Sequence, residues 1–169
     1  MSTDRFSQRE VAAMTVTANP ARPFAIHPGE GDRTEFLGHT FTFKAGATDT
    51  AGAFSVIEIV QRRGGEPPLH VHHREDEAFY LLEGEMTFHV GGERLPATAG
   101  SFVFLPRDVP HTFTVDGEGE ASVLQLCSPP GLEEFFRDWG NRPLEAEAMA
   151  QALARYGVEL VGPPPDASS

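Results

Sequence analysis

The chain has 169 residues, of which 40% are hydrophobic and 22% charged, and it contains seventeen glycines and fourteen prolines. This length fits a single domain, and the glycine and proline content excludes a helical bundle and favours a turn-rich β protein. The formal net charge of −12 opposes contact with phosphate backbones and with anionic lipid surfaces, so we expect neither a nucleic-acid nor a membrane partner.

Residues 1–22 are polar and weakly patterned, and we predict an N-terminal arm there, either flexible or paired with a partner subunit. From residue 36 onward, short runs of aromatic and β-branched residues end at glycine or proline turn signals. The runs lie at residues 36–43, 53–61, 78–82, 86–90, 102–105, 112–115 and 122–127. Such closely spaced short strands predict a mainly β sandwich or barrel, which we place at residues 23–128.

A C-terminal helical segment is predicted at residues 129–161. A first helix, ending near Gly140, has apolar residues at the i, i+3, i+4 and i+7 positions of one face. These residues are Leu132, Phe135, Phe136 and Trp139. A second helix is predicted to follow Pro143 and to end at Gly157. We expect both apolar faces to pack on the outside of the barrel, and residues 162–169 to form a disordered tail.

Three histidines and one glutamate form a candidate metal-ligand set. His70 and His72 are two residues apart, so their side chains project from the same face of a strand. Glu77 begins the next apolar run, and His111 begins a later one, directly after Pro110. Antiparallel strands can bring these residues together, and three imidazoles with one carboxylate suit a borderline divalent metal.

Strand parity separates this set from the other histidines. His73 alternates to the face opposite His70 and His72, so we predict that it lies outside the metal site. We interpret His89 as a surface or groove residue. His27 and His39 have no companion at ligand spacing and receive no predicted role in the site.

The spacing around these residues resembles the two motifs of the cupin superfamily over residues 36–127. The first motif is matched by Gly64, His70, His72, Glu77 and Gly84, and the second by Gly100, Pro106 and His111. The resemblance implies a jelly-roll β-barrel, here with one or two C-terminal helices. It also implies one metal ion near a mouth of the barrel, held by the three histidines and Glu77.

Two residues depart from the second motif, which usually has glycine where this chain has Asp108 and asparagine where it has Val115. Neither position supplies a ligand in the family. The strand faces that carry Glu77 and His111 also carry apolar side chains, and these form the predicted substrate pocket. Its residues are Phe79, Leu81, Phe113 and Val115. An apolar pocket of this kind favours an aromatic ligand over a sugar or a small hydroxy acid.

The presence of one cupin unit and the character of residues 129–159 are similar to bacterial quercetin 2,3-dioxygenase-like monocupins. This likeness implies metal-dependent opening of a flavonol-like or other aromatic molecule by dioxygen. The metal would act as a Lewis acid toward an ionised substrate oxygen. Glu77 would be both a ligand and the catalytic proton acceptor, because its second carboxylate oxygen would be free to take a proton.

Two alternatives stay open. The first is a non-catalytic cupin that binds a metal and a small ligand. The second is a metal-dependent isomerase or lyase, for which the ligand-bearing strands offer few further acid–base groups. The ligand set suits Fe, Mn, Co, Ni, Cu or Zn, and the sequence does not identify which of them is bound. Open sheet edges and the N-terminal arm favour a homodimer.

Cys127 is the only cysteine of the chain, which excludes an intrachain disulfide, and its apolar neighbours indicate a small buried hydrophobic residue. No stretch has the length of a membrane helix, and the first residues show no apolar signal-peptide region. We therefore expect a cytoplasmic protein.

Overall fold

A computed structural model describes residues 22–117, 119–142 and 145–164. Within these ranges the chain forms eleven β-strands and two helices. In chain order they are β1 (Arg33–Phe36), β2 (His39–Ala45), β3 (Ser55–Arg62), β4 (His70–His72), β5 (Asp76–Glu83), β6 (Glu85–Val90), β7 (Glu93–Thr98), β8 (Phe102–Leu105), β9 (His111–Val115), β10 (Glu120–Ser128), α1 (Leu132–Trp139), α2 (Ala146–Arg155) and β11 (Val158–Leu160). The predicted arm, apart from Arg22, and residues 165–169 of the predicted tail lie outside the described residues.

The strands form two antiparallel sheets. The larger has the order β1-β2-β3-β10-β5-β8, and the smaller has the order β11-β4-β9-β6-β7. Side chains alternate between buried and partly buried along β3, as expected of a strand with one face toward a core. The mainly β jelly-roll fold predicted from the sequence is therefore confirmed.

The main core lies between the inner faces of the two sheets. Phe79 of β5 meets Phe88 of β6 at a ring-centroid distance of 5.2 Å and Phe113 of β9 at 6.1 Å. Ile57 and Ile59 of β3 are also almost fully buried in this cluster. Close packing of these large side chains fixes the distance between the sheets, and with it the separation of any residues that face each other across the barrel.

Helix α1 spans Leu132–Trp139 and ends at Gly140, as the sequence predicts. Phe135 is fully buried, and the ring of Phe136 stacks on Phe41 of β2 with centroids 4.3 Å apart. The buried Glu133 accepts a hydrogen bond from the backbone N–H of Ala47 over 3.0 Å, which ties the helix to the loop after β2. The helix thus packs its apolar face against β1 and β2 of the larger sheet.

Helix α2 begins at Ala146, and the predicted start of this helix at Pro143 lies outside the described residues. After α2 the chain forms β11, a strand that the sequence analysis did not predict because it placed this stretch in the helical segment. Val158 and Leu160 of β11 pair with His72 and His70 of β4. The C-terminal segment therefore supports the strand that carries two of the predicted metal ligands. No helix within the described ranges has both the length and the apolar character needed to cross a membrane.

Candidate metal centre

The fold brings the four predicted ligands together between the two sheets. His70 and His72 lie on β4, and His70 is directly opposite His111, the first residue of β9, in the smaller sheet. Glu77 comes from β5 of the larger sheet and reaches across the barrel. One ligand atom from each of these four residues lies within 4.8 Å of the others. The hypothesis that they form one cluster, drawn from strand parity and the resemblance to the cupin motifs, agrees with this geometry.

Glu77 is the centre of the cluster. Its Oε2 lies 2.9 Å from Nε2 of His111 and 3.4 Å from Nε2 of His72. His72, Glu77 and His111 are each at most 2% exposed, while His70 is partly open to the cavity described below. A buried set of three imidazoles and one carboxylate has the donor chemistry that divalent transition metals prefer, so the residues present fit such an ion.

Hydrogen bonds from Nδ1, the ring nitrogen that points away from the cluster, fix the orientation of the imidazole rings of His70 and His111. Nδ1 of His70 donates to the backbone carbonyl of Pro68 over 2.7 Å, and Nδ1 of His111 donates to the carbonyl of Val109 over 2.9 Å. A carbonyl oxygen can only accept, so each Nδ1 carries the proton. The Nε2 atoms of both rings therefore face the cluster, where each can offer its lone pair to a metal ion once it carries no proton.

His72 is held by a carboxylate instead. Its Nδ1 donates to Oε1 of Glu75 over 2.5 Å, and Glu75 is only 2% exposed. Burial opposes protonation of His72, but the nearby Glu77 and Glu75 outweigh it and raise the pKa of His72. A carboxylate behind a ligating imidazole raises its basicity and fixes its orientation. Glu75 lies in the short turn between β4 and β5 and was not predicted from the sequence to belong to the site.

The other carboxylate oxygen of Glu77 also has neighbours. Nε2 of Gln125 on β10 donates to Oε1 over 2.5 Å, and Sγ of Cys127 lies 3.8 Å from the same oxygen. The oxygen that was expected to be free therefore already accepts hydrogen bonds from Gln125 and from the thiol of Cys127. Cys127 is buried as predicted, and burial raises the pKa of its thiol well above the ordinary value, so the thiol stays neutral.

The charge states of His70 and Glu77 favour ligation at neutral pH. Burial, reinforced by the neighbouring His111 and His72, lowers the pKa of His70 to about 3, so its imidazole is neutral. Burial alone would raise the pKa of Glu77, but His72 and His111 outweigh it and hold this pKa well below the usual range. A neutral imidazole and an ionised carboxylate are the states that can bind a metal ion.

His73 lies outside the cluster, in accordance with its strand parity. It is exposed, and its Nδ1 and Nε2 lie 2.7 Å from Oδ1 of Asp108 and 3.1 Å from Oε2 of Glu159. Hydrogen bonds to these two carboxylates raise the pKa of His73. Asp108 has a φ of 62°, a left-handed conformation that glycine adopts most easily and aspartate tolerates. This explains why the family motif usually has glycine at this position.

The remaining histidines are dispersed. His27 is exposed, and His89 of β6 is partly buried. His39 was given no role, yet it is 4% exposed and lines the cavity next to the cluster. Its Nδ1 accepts the backbone N–H of Arg62 over 2.9 Å, and its Nε2 donates to the carbonyl of Gly65. Burial lowers the pKa of His39, so this ring is a neutral part of the cavity wall.

A mainly apolar cavity opens beside the metal-ligand cluster. Its wall includes His70, His72 and Glu77, side chains from β2 and β3, and residues of both helices. Of the four predicted pocket residues, Phe79 and Phe113 line this cavity. Leu81 and Val115 are instead packed into the hydrophobic core, at 0% and 3% exposure, and are not part of the cavity wall. Both side chains point to the inner face of their strands, but their positions along the strands lie beyond the cavity.

The arrangement defines a β-barrel protein with a buried site suited to one divalent metal next to an apolar cavity. Residues 56–127 match the family model of the cupin domain. These residues are therefore identified as a cupin domain.

The chain is similar in sequence to two characterised proteins. Over 133 residues the chain is 31% identical to quercetin 2,3-dioxygenase of Bacillus subtilis (strain 168), a match that covers 78% of this chain and 39% of that protein. The chain thus spans well under half the length of that enzyme. Over 118 residues it is 25% identical to an oxalate-binding protein of Thermotoga maritima, covering 70% of this chain and 96% of that protein.

Solved structures agree on the architecture. The crystal structure of an RmlC-like cupin from Shewanella frigidimarina NCIMB 400 superimposes with a TM-score of 0.56 at 20% sequence identity, and the match covers 68% of this chain and 98% of that chain. At this identity the likeness concerns the fold alone.

Proposed function

We propose that the protein is a metal-dependent dioxygenase that opens a flavonol-like or other aromatic substrate. The observation that carries this proposal is the position of His70, His72, Glu77 and His111 at the wall of an apolar cavity. The 31% identity to quercetin 2,3-dioxygenase supports it. The three histidines and Glu77 would hold the ion, and a bound divalent metal would supply Lewis acidity toward an ionised substrate oxygen.

Glu77 is the group placed to take a proton from a substrate hydroxyl. Its low pKa keeps the carboxylate ionised, and its position on the cavity wall gives a substrate access to it. Gln125 and the thiol of Cys127 both donate to Oε1 of Glu77, at 2.5 Å and 3.8 Å. The long thiol contact is the weaker of the two, so a substrate proton can replace it at that lone pair. The hydrogen bond from Gln125 therefore fixes the orientation of the carboxylate and leaves it able to accept a proton.

The cavity wall selects and orients the substrate. Phe79 and Phe113 stand beside the ligand cluster, and Phe41 and Phe136 face the cavity further out. Aromatic walls of this kind hold a flat ring by stacking and edge contacts, and they exclude water from the reacting oxygen. The α1 residue Phe136 makes the C-terminal helices part of the substrate site.

An oxygen-electrode assay with metal-loaded protein and a panel of flavonols and simple phenols tests the proposal. A dioxygenase consumes dioxygen in step with substrate loss, and metal-free protein serves as the control. Uptake with none of the aromatic compounds would contradict it.

A non-catalytic binding cupin is the second candidate, favoured by the similarity to the oxalate-binding protein. This alternative predicts saturable ligand association without oxygen consumption. The apolar lining of the cavity argues against a small dicarboxylate as that ligand.

We further propose that two copies of the chain form a homodimer through the outer face of the larger sheet. This face carries the exposed side chains Tyr80, Leu82, Phe102, Phe104 and Leu126. Tyr80 lies opposite Phe102 on β8, which is an edge strand of the sheet. Exposed apolar side chains next to an open edge are typical of a protein interface.

Sedimentation velocity tests the homodimer proposal. The wild type should sediment as a dimer, and Phe102→Lys should shift the equilibrium toward monomer. A monomeric wild type would contradict the proposal.

A further inference from the structure

Two buried glutamines line the cavity, and each has a side-chain carbonyl oxygen without a partner. Gln61 of β3 is 2% exposed and Gln125 of β10 is 6% exposed. Among the described residues, Oε1 of neither side chain has a hydrogen-bond partner. A buried acceptor without a donor is unfavourable in a native protein and calls for an explanation. A ligand that carries hydrogen-bond donors would supply one.

The two glutamines lie at different ends of the cavity. Gln125 donates to Glu77 and so belongs to the metal end. Gln61 pairs with Ala121, four residues before Gln125 on β10. Four residues of strand place Gln61 roughly 13 Å from Gln125 along the strand direction. The cavity therefore has a polar group at each end, separated by the apolar side chains of Ile59 and Phe41.

The neighbouring polar side chain cannot satisfy Gln61. His39 also lines this end of the cavity, but both of its ring nitrogens are engaged, one by the N–H of Arg62 and one by the carbonyl of Gly65. The aromatic side chains of the cavity wall, such as Phe36 and Phe41, have no hydrogen-bond donor. Oε1 of Gln61 is thus a buried acceptor at the cavity wall without a donor among the described residues.

We propose that Gln61 is a specificity-determining residue whose carbonyl oxygen accepts a hydrogen bond from a hydroxyl at the far end of the substrate. This inference rests on the proposed function and narrows its substrate class. The substrate is a flat aromatic molecule with an ionisable hydroxyl facing Glu77 and a second, phenolic hydroxyl on a distant ring. A site built to bind a hydroxyl rejects the analogue that lacks it, because the buried acceptor is then left unpaired.

Binding measured without turnover tests this directly. Metal-loaded full-length protein is titrated anaerobically with two flavonols that differ only in a hydroxyl on the pendant ring. We expect wild type to bind the hydroxylated compound at least roughly tenfold more tightly. Gln61→Leu should remove this preference, mainly by weakening the hydroxylated ligand, because leucine fills the volume and offers no acceptor. Gln151→Leu, the same change at an exposed position of α2, should keep the preference.

The outcomes separate the two proposals. If wild type binds both flavonols equally, or Gln61→Leu keeps the preference, the role of Gln61 is overturned, while oxygen uptake still tests the dioxygenase. If Gln61→Leu changes only thermal stability, the oxygen is satisfied by water and the inference fails. If neither flavonol binds to wild type, both proposals fail. Gln61→Met, which keeps an unbranched side chain, replaces the leucine variant if that variant does not fold.

Discussion

Gln125 and Glu77 are joined by a hydrogen bond of 2.5 Å that links two neighbouring strands of the larger sheet, β10 and β5. The residue of β10 directly opposite Glu77 is Cys127, which follows Gln125 by two residues. The hydrogen bond from Gln125 to Glu77 therefore crosses diagonally between the two strands. Gln125 thereby holds Oε1 of Glu77, while Oε2 faces the imidazoles of His72 and His111. The orientation of the only carboxylate in the ligand set depends on this amide.

Replacing Gln125 should therefore weaken metal binding without removing any ligand. We expect Gln125→Leu to lower metal affinity by about 10–100-fold, the usual effect of losing a residue that supports a metal ligand. Competition with a chromophoric chelator measures the change. Gln61→Leu is the matched control, because Gln61 lines the same cavity but is not among the hydrogen-bond partners of Glu77. Equal affinity in the wild type and Gln125→Leu would show that the hydrogen bond does not position Glu77.

The adjacent histidines His72 and His73 should respond in opposite ways. His72→Ala removes a buried ligand candidate and should abolish tight metal binding, whereas His73→Ala removes an exposed ring and should leave binding intact. The two variants differ by one position in the sequence, so they test strand parity as well as the site. Metal content after dialysis measures both. Equal loss in the two variants would mean that the register of β4 is wrong.

Glu77→Gln should separate metal binding from chemistry. The amide oxygen of glutamine can still face the metal, so we expect weaker but measurable binding. Glutamine cannot accept a proton, and oxygen consumption with an active aromatic substrate should fall by roughly 10²–10⁴-fold. Wild type and variant are compared at matched metal occupancy. Unchanged turnover in the fully loaded variant would remove Glu77 from the role of base.

His39 should make folding stability depend on pH. Burial lowers its pKa below the ordinary value of 6.5, so the unfolded chain takes up a proton that the folded protein does not. Stability therefore rises with pH across this window and is lost progressively as the pH falls below 6.5.

Urea unfolding midpoints at several pH values, with His39→Gln as the comparison, measure this contribution. Wild type should lose more stability than His39→Gln as the solution is acidified from neutral pH. His27→Gln, at an exposed position, should follow wild type. Parallel curves for wild type and His39→Gln would show that His39 does not contribute.

The ligand cluster could be predicted from the sequence because it depends on local spacing. His70 and His72 share a strand face by parity, and the motif spacing identifies Glu77 and His111 as their companions. Helix α1 was predicted equally well, because its apolar residues repeat with helical periodicity. The turn at Gly84 was also marked in the sequence: its φ is 80°, and a Cβ there would lie 2.5 Å from the carbonyl oxygen of Glu120.

Depth along a strand could not be predicted. Parity shows that Leu81 and Val115 point inward, but it does not show that they lie in the closed part of the core while Phe79 and Phe113 border the cavity. The missing information is the tertiary register between strands that are distant in sequence. Strand β11 was missed for a similar reason, since three residues that pair with β4 carry no periodic signal of their own.

Gln61 and Gln125 did carry a signal that the sequence analysis left unused. Each is a polar residue at an inward position of its strand, in the same parity as the apolar residues Ile59 and Val123. A buried polar residue in such a position points to a specific partner. Glu75 had no comparable signal, because its contact with His72 depends on the conformation of a short turn.

Elemental analysis of the purified protein, not treated with chelator, tests the central claim most directly. Three imidazoles and one carboxylate that converge in a buried cluster should retain close to one divalent transition metal per chain. In a structure of the loaded protein, the ring nitrogens of His70, His72 and His111 should lie about 2.0–2.2 Å from the ion. Protein that carries no metal as isolated, and binds none when titrated with Fe, Mn, Co, Ni, Cu or Zn, would contradict the account.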